Sequence, residues 1–377
     1  MDFDLSPEQR DRTDHVRRGA GTLPAPEPGN AADRDAWRAA AELGLTGLCL
    51  PAEDGGGGLG ALDTALCLEA FCDGGADTGL AFGIAAHLLA CGIVLTEHAR
   101  DPVRAELLRG LSSGTVIAAN AMTEDGAGSD VTQLATTAAP DSDGYLLNGV
   151  KSFVSNAPLA DVLVTYAVTT PGAGYLGLSA FAVPRDLPGV RVGDPLDKMG
   201  LDGCAAARVE FSDCRVPRRY LLGAENQGSG VFQRSMTWER ACLPAIYLGV
   251  MRAQLRRCVT HARERRQFGR RLGDFQAVSH QLATMKQRLE SSRLLLYRAC
   301  WCIDRADPDA AEAAALAKVT VAESAVANSL DAVKLFGARG YLAADGISQQ
   351  LRDAVPLHLF SGATEIQREI IAKGLGV

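Results

Sequence analysis

The spacing of apolar residues divides the chain into three parts. Residues 1–118 are predicted to be helical, because apolar positions recur every three or four residues and the stretch 80–95 is apolar enough to be buried. Residues 119–225 show short alternating runs separated by turn sequences such as Asn-Gly and Ser-Asp, which predict β-strands. Residues 226–377 return to the helical period. The pattern therefore predicts helices, then a small antiparallel barrel, then a helical bundle.

Some element boundaries follow from the same pattern. Asp63 is predicted to cap a helix that runs from Ala65 through Phe71. An alanine-rich stretch predicts a long helix over residues 310–333, and the last helix is predicted to begin near Thr364.

Net charge, apolar runs and cysteine spacing indicate which partners, compartment and metal sites to expect. The 377 residues carry a net charge of −7, which disfavours nucleic acid or an anionic membrane as a partner. The start of the chain lacks the basic region and apolar core of a secretion signal, and no run is expected to approach the ~20 apolar residues that span a bilayer. The ten cysteines form no Cys-x-x-Cys pair and have no histidine at zinc-ligand spacing. We therefore expect a cytoplasmic protein with buried, reduced thiols and no metal site.

One segment of the β region carries the first candidate chemistry. Its first part, Met-Thr-Glu-Asp-Gly-Ala-Gly-Ser-Asp at 122–130, places glycines between hydroxyl groups, so that main-chain N–H groups can turn toward a ligand. Its second part, Lys-Ser-Phe-Val-Ser-Asn at 151–156, places Phe153 and Ser155 on one face of a strand. A flat apolar surface beside a hydrogen-bonding group suits a planar heteroaromatic cofactor. The alternative is a glycine-rich turn joined to an ordinary amphipathic hairpin.

Together these two motifs resemble the paired flavin-binding motifs of the acyl-CoA dehydrogenase family. The resemblance implies FAD as the cofactor, with Phe153 against the flavin ring and the Ser155 hydroxyl near flavin N5. Family members often have Trp and Thr at these two positions. The first motif would contact the flavin and pyrophosphate through Met122, Thr123, Gly128 and Ser129. The implied fold is an all-α N-terminal domain, a small antiparallel β-barrel and a C-terminal four-helix bundle, within the bounds given above.

A basic run at residues 252–271 is the second candidate site. Taken by itself it predicts a solvated helix face or a nucleic-acid patch, and the acidic chain disfavours the patch. Its segment Ala-Arg-Glu-Arg-Arg-Gln-Phe-Gly resembles a family segment that reaches across a subunit interface to a neighbour's FAD. The resemblance assigns this role to Arg265, Gln267 and Phe268, with Gln276 further on. It implies a homo-oligomer, either a tetramer or a dimer.

The sequence Leu-Phe-Ser-Gly-Ala-Thr-Glu near the C-terminus resembles the family's closing motif. In that motif a Glu commonly precedes the Gly and removes the substrate's α-proton. Here the position is Ser361, whose neutral hydroxyl cannot accept a proton unaided. Ala363 and Glu365 also depart from the family's usual Thr and Gln. Further cofactor contacts would fall at Lys334, where Gln is usual, and at Gly337.

The departure at Ser361 predicts that the base has moved. Some family branches carry the catalytic carboxylate on the helix after the barrel, and Glu239 falls at that position. Its mostly apolar neighbours, such as Met236 and Trp238, predict burial, which raises a carboxylate's pKa toward working pH and suits a base. The alternative is a helix-surface ion pair of Glu239 with Arg240.

Within the family, the chain is most similar to the branch that oxidises carrier-protein-bound thioesters in natural-product pathways, which includes the L-prolyl-carrier-protein dehydrogenases. The stretch Leu201–Ala207 departs from that subgroup, which has bulkier residues there. The resemblance implies an FAD-dependent dehydrogenase acting on the Cα–Cβ bond of an acyl or aminoacyl thioester on a carrier protein or CoA. The electron acceptor would be an electron-transfer flavoprotein or oxygen. Two alternatives stay open: a flavin-dependent monooxygenase on the same fold, and a flavin-binding homologue without turnover.

Overall fold

The computed structural model describes residues 4–23, 31 and 33–377. Its helices are α1 (Pro7–Ala20), α2 (Arg34–Glu42), α3 (Ala61–Asp73), α4 (Thr78–Ala86), α5 (Ile93–His98), α6 (Val103–Ser112), α7 (Gly228–Cys242), α8 (Ala245–Glu264), α9 (Gln276–Asp304), α10 (Ala310–Phe336), α11 (Ala338–Tyr341), α12 (Ile347–Ala354) and α13 (Thr364–Gly374). Its strands are β1 (Ala118–Ala121), β2 (Thr137–Asp141), β3 (Gly144–Ser155), β4 (Val162–Val168), β5 (Leu178–Pro184), β6 (Val190–Val192), β7 (Ala206–Pro217), β8 (Leu221–Leu222), β9 (Arg266–Gln267) and β10 (Arg270–Arg271). The predicted order of helices, sheet and helices is confirmed.

The start of helix α3 corrects one sequence expectation. The helix begins at Ala61, so Asp63 lies inside its first turn and does not cap it. Asp63 instead accepts hydrogen bonds from Gln9 and Arg12 of α1, at 2.6 and 3.1 Å. The first N–H groups of α3 donate to the carboxylate of Asp304 at the end of α9, the Ala61 N–H at 2.6 Å. The cap is therefore supplied by a residue about 240 positions away, which no local pattern could reveal.

The apolar run 80–95 forms the centre of one buried helical segment. Helices α4 and α5 are joined by a π-helical turn over His87–Gly92, which makes a continuous segment of 21 residues from Thr78 to His98. Its length and mean hydropathy of 2.0 are sufficient for a membrane span, which corrects the expectation that no run approaches that size. However, 94% of its most apolar window is buried inside the protein, as in a core helix.

The middle of the chain forms an eight-stranded sheet. The strand order is β6-β7-β3-β2-β4-β5-β8, and β1 lies beside β4. Most pairs are antiparallel, as predicted, but β1 runs parallel to β4, and β2 meets β4 through one parallel pair. The sheet encloses its own apolar core, in which Tyr145 packs edge-on against Phe181.

The C-terminal helices surround α10. This helix packs against α7, α8, α9, α12 and α13, while α3 of the N-terminal part packs against α8 and α9. One continuous apolar core therefore joins both helical parts, including Trp37 of α2 and Tyr247 of α8. Helix α7, which leads from the sheet into the bundle, also packs against the π-helical turn and strand β5. It thus lies where all three parts meet.

Candidate active site

A buried ion pair ties the two halves of the predicted flavin motif together. The Lys151 side chain is fully buried, and its Nζ donates to Glu124 Oε1 at 2.7 Å and to the Met122 carbonyl at 3.0 Å. Glu124 also accepts the N–H groups of Ala135 and Thr136 at 2.7 and 3.0 Å. Burial lowers the pKa of Lys151 to about 8, against the opposing effect of Glu124. The pair fixes the position of the glycine loop relative to strand β3.

Sequence reasoning did not single out this pair. The sequence does contain the features that could have indicated the pair: a lysine stands among alternating apolar positions of a strand, and a glutamate lies within the loop that precedes it. The pairing depends on the fold, however, because 27 residues separate the two side chains.

Phe153 lies at an irregularity of strand β3. The register with β7 shifts between Lys151 and Val154, and Phe153 adopts φ 57°, in the left-handed region that is unfavourable for an aromatic residue. Its ring is 63% exposed, while Val154 is buried in the apolar core of the sheet and Ser155 is half-buried. A strained backbone that turns a large ring out of the core is the arrangement expected for a ligand-stacking residue.

The glycine loop provides an open surface beside this strand. Reciprocal hydrogen bonds of 3.1 Å between the main chains of Glu124 and Ala127 close the turn. A side chain added at Gly126 or Gly128 would meet no atom within 4 Å, so the loop faces open space there. Thr123 is half-buried and Ser129 is exposed.

A cleft of about 320 Å³ lies beside the glycine loop and strand β3. Its lining comes from both motifs and from strand β7, and includes Glu124, Gly126, Thr136, Gly149, Ser152 and Arg208. Among the residues that the structure describes, the buried hydroxyls of Thr136 and Ser152 have no hydrogen-bond partner. Thr123, Ser129, Phe153 and Ser155 do not line this cleft, so the fit to a bound planar group rests on the open face of the loop and the outward aromatic ring.

Glu239 lies on α7 and is 6% exposed. Its Oε1 accepts a hydrogen bond of 2.5 Å from the Ser361 hydroxyl. Its Oε2 is buried and has no partner among the described residues. Burial raises the pKa of Glu239, while the Ser361 hydrogen bond and the charges of Arg240 and Lys318 act in the opposite direction. A buried carboxylate with one free oxygen and a raised pKa has the properties of a general base.

The alternative of a surface ion pair between Glu239 and Arg240 is wrong. Arg240 is also 6% exposed, and its Nε donates to the Ser361 carbonyl at 3.0 Å. Neighbouring positions on a helix do not face each other, which explains why the two side chains take different directions.

The closing turn at Ser361 and Gly362 is held by three side chains. Arg240 and the amide of Gln367 donate to the Ser361 carbonyl, at 3.0 and 3.3 Å. Lys318 Nζ and the same amide donate to the Gly362 carbonyl, at 2.8 and 3.1 Å. Sequence reasoning missed Lys318 and Gln367, although a lysine within the apolar, alanine-rich stretch of α10 was a visible signal.

The residues of the basic segment lie together on an exposed hairpin formed by β9 and β10. Arg265 and Gln267 are exposed, and Phe268 is 93% exposed with φ 51°. Arg270 stacks on Phe275 at 3.8 Å from the ring centroid. Gln276, also exposed, is the first residue of α9.

Lys334 and Gly337 lie at the end of α10. Lys334 is exposed in the last helical turn, and Gly337 ends the helix with φ 60°. The ring of Phe336, between them, stacks on His261 of α8 at 4.3 Å. The end of α10 therefore lies beside the end of α8, from which the basic hairpin projects.

The cysteines are reduced, and the described residues form no metal site. All ten cysteines are free thiols; nine are buried and Cys49 is partly buried. Burial raises the pKa of Cys204 to about 11, which keeps that thiol protonated and unreactive. In the part of the chain that the structure describes, no group of three or more His, Cys, Asp or Glu residues could hold a metal ion.

Comparison with known proteins matches three domain families along the chain. The acyl-CoA dehydrogenase N-terminal, middle and C-terminal domain families match residues 6–115, 119–214 and 226–376. A protein of Pseudomonas fluorescens described as an L-prolyl-[peptidyl-carrier protein] dehydrogenase is 51% identical over 90% of this chain and 89% of its own length.

Two solved structures are similar over nearly their full length. The structure of PigA with FAD and proline has a TM-score of 0.96 and 39% identity, covering 100% of this chain and 99% of its own. The structure of the prolyl acyl carrier protein oxidase AnaB has a TM-score of 0.96 and 34% identity, covering 99% and 100%.

Proposed function

This chain belongs to the acyl-CoA dehydrogenase family, and we propose that it is an FAD-dependent dehydrogenase that oxidises a carrier-protein-bound aminoacyl thioester in a biosynthetic pathway. A prolyl thioester is the substrate to test first, since relatives at 51% and 39% identity are described by that activity. The observation that carries the proposal is the buried Glu239 carboxylate with its free Oε2, on the helix where the sheet and the bundle meet.

The residues around the glycine loop fit FAD. We propose that Met122, Thr123, Gly128 and Ser129 contact it through the loop, that Phe153 stacks on the ring, and that Ser155 bonds near flavin N5. When bound, FAD supplies the acceptor for the hydride that leaves the substrate's β-carbon. The fit rests on the outward Phe153 ring and the open face of the glycine loop.

Glu239 is the proposed base for the substrate's α-proton. The thioester carbonyl acidifies that proton, and the ionised carboxylate accepts it on Oε2, which has no competing partner among the described residues. Ser361 cannot take this role, because a neutral hydroxyl is too weak a base to accept the α-proton unaided. Loss of the α-proton and the β-hydride leaves a Cα–Cβ double bond in the thioester product.

A second copy of this chain is proposed to complete the cofactor site. Arg265, Gln267, Phe268 and Gln276 would reach the neighbour's FAD, with Lys334 and Gly337 contributing at the end of α10. This proposal is supported by Phe268, an exposed aromatic residue held at positive φ on a hairpin that projects from the bundle. We propose a homo-oligomer, either a tetramer or a dimer, and an electron-transfer flavoprotein or oxygen as acceptor; one similar protein is described as an oxidase.

The direct test is anaerobic reduction of the FAD-loaded protein by matched thioesters. The flavin absorbance should bleach with prolyl carrier protein, and more slowly or not at all with prolyl-CoA or with a carrier loaded with a bulkier aminoacyl group. Bleaching by no thioester, together with flavin hydroperoxide formation when a reductase and oxygen are supplied, would favour a monooxygenase. Absence of both reactions would favour a flavin-binding protein without turnover.

A further inference from the structure

The closing turn presents a hydroxyl, and not a carboxylate, to the proposed base. Ser361 adopts φ 56°, which a residue other than glycine takes only when its surroundings hold it there. Those surroundings are the hydrogen bonds from Arg240, Gln367 and Lys318 to the carbonyls of the turn. Two cations and an amide therefore fix a strained backbone whose hydroxyl meets Glu239 at 2.5 Å.

The direction of this hydrogen bond follows from its chemistry. An ionised carboxylate only accepts, so the Ser361 hydroxyl must donate to Oε1 of Glu239. Oε2 has no partner among the described residues, although it is buried. The two oxygens are thus distinguished: Oε1 is fixed by the turn, and Oε2 has no hydrogen-bond partner among the described residues.

Four other titratable groups interact electrostatically with Glu239. They are Arg240 on α7, Lys318 on α10, Cys91 on the π-helical turn and Tyr166 on β4. Burial raises the pKa of Cys91 and Tyr166, which keeps both neutral, so the local positive charge comes from Arg240 and Lys318. Burial and the nearby Arg240 lower the pKa of Lys318 to about 8.

We propose that Ser361 is a positioning residue for the base: its hydroxyl holds Oε1 of Glu239, stabilises the ionised carboxylate and leaves Oε2 directed toward the substrate. This inference rests on the proposed function, in which Glu239 removes the α-proton. The strained turn and its three donors serve to aim one hydroxyl, which explains why a buried lysine and a buried arginine bond to main-chain carbonyls and not to Glu239.

The test uses two variants that lose the hydroxyl in different backbone contexts. Ser361→Gly relieves the positive φ, and Ser361→Ala keeps the strain, so an effect common to both reports the hydroxyl. A hydrogen bond to a charged group favours ionisation, so the pKa of Glu239 should rise when it is lost. The acid limb of kcat/KM should move up by about one to two pH units in both variants, with normal FAD loading.

The readout separates this inference from the proposed function. At pH 7, flavin reduction should slow by about tenfold or more in both variants and recover as the pH is raised, because ionisation and not the base itself is impaired. An acid limb that is unmoved in both variants, while Glu239→Gln remains inactive, overturns the positioning role alone. Flavin reduction that survives Glu239→Gln overturns the base assignment and this inference with it.

Discussion

At the scale of single residues, the site is built from buried polar contacts that span long sequence distances. Ser361 and Glu239 are 122 positions apart, and Lys151 and Glu124 are 27 apart. The sequence alone indicated that Glu239 would be buried and that Ser361 departs from the family's usual residue. It could not indicate that the two side chains meet, because the contact depends on how α7 packs against the closing turn.

The Lys151–Glu124 pair is expected to stabilise the fold and to set the geometry of the flavin motif. Lys151→Met removes the only described cation at Glu124, leaving a buried carboxylate held by main-chain N–H groups alone. Breaking one partner of a buried pair should lower the free energy of unfolding by about 3 kcal/mol. Urea unfolding of the FAD-free protein measures this, and FAD affinity should fall in parallel.

The matched control is the double variant Lys151→Met with Glu124→Gln. Without the charge on Glu124, the double variant should be more stable than Lys151→Met alone, with a coupling of about 1 kcal/mol or more. Strict additivity of the two single changes would contradict an interaction between the buried charges.

At the scale of elements, local patterns predicted the type of each region better than its ends. The alanine-rich helix was expected to end at residue 333 but continues to Phe336, where Gly337 stops it with positive φ. The start of α3 was misplaced because its N–H groups are satisfied by Asp304 of α9. The parallel pairing of β1 with β4 was also missed, since alternation along a strand does not reveal the direction of its neighbour.

The contact of Asp304 with α3 gives a test at this scale. Asp304→Ala should destabilise the protein by about 1 kcal/mol, because two N–H groups at the start of α3 lose their acceptor. Asp304→Asn keeps one acceptor oxygen and should cost less. A thermal unfolding series compares the three proteins; if alanine and asparagine are equally harmful, charge and not the cap explains the effect.

At the scale of the whole molecule, two helical parts share one core and the sheet carries its own. The three-part order could be predicted from the spacing of apolar residues alone, because that spacing changes twice along the chain. How the parts meet could not be predicted, because that depends on side chains of α7, α3 and the π-helical turn whose partners lie in other parts of the sequence.

The proposed oligomer is tested through the basic hairpin. Phe268→Ser removes an apolar ring that is 93% exposed in the single chain, so it should weaken subunit association and FAD retention together. Leu176→Ser is a matched control, since Leu176 is 74% exposed in the middle part of the chain. Analytical ultracentrifugation should show smaller species for Phe268→Ser only. An unchanged oligomer with unchanged FAD retention would contradict the role assigned to the hairpin.

The central claim is that the buried Glu239 carboxylate removes the α-proton, and the most direct measurement is the rate of anaerobic flavin reduction in Glu239→Gln. The amide is nearly isosteric but cannot act as the base, so with prolyl carrier protein the rate should fall by about a thousandfold or more. FAD loading should equal that of the wild type, and Glu106→Gln, at an exposed position of α6, should reduce its flavin at the normal rate. A Glu239→Gln rate within tenfold of the wild type would contradict the account.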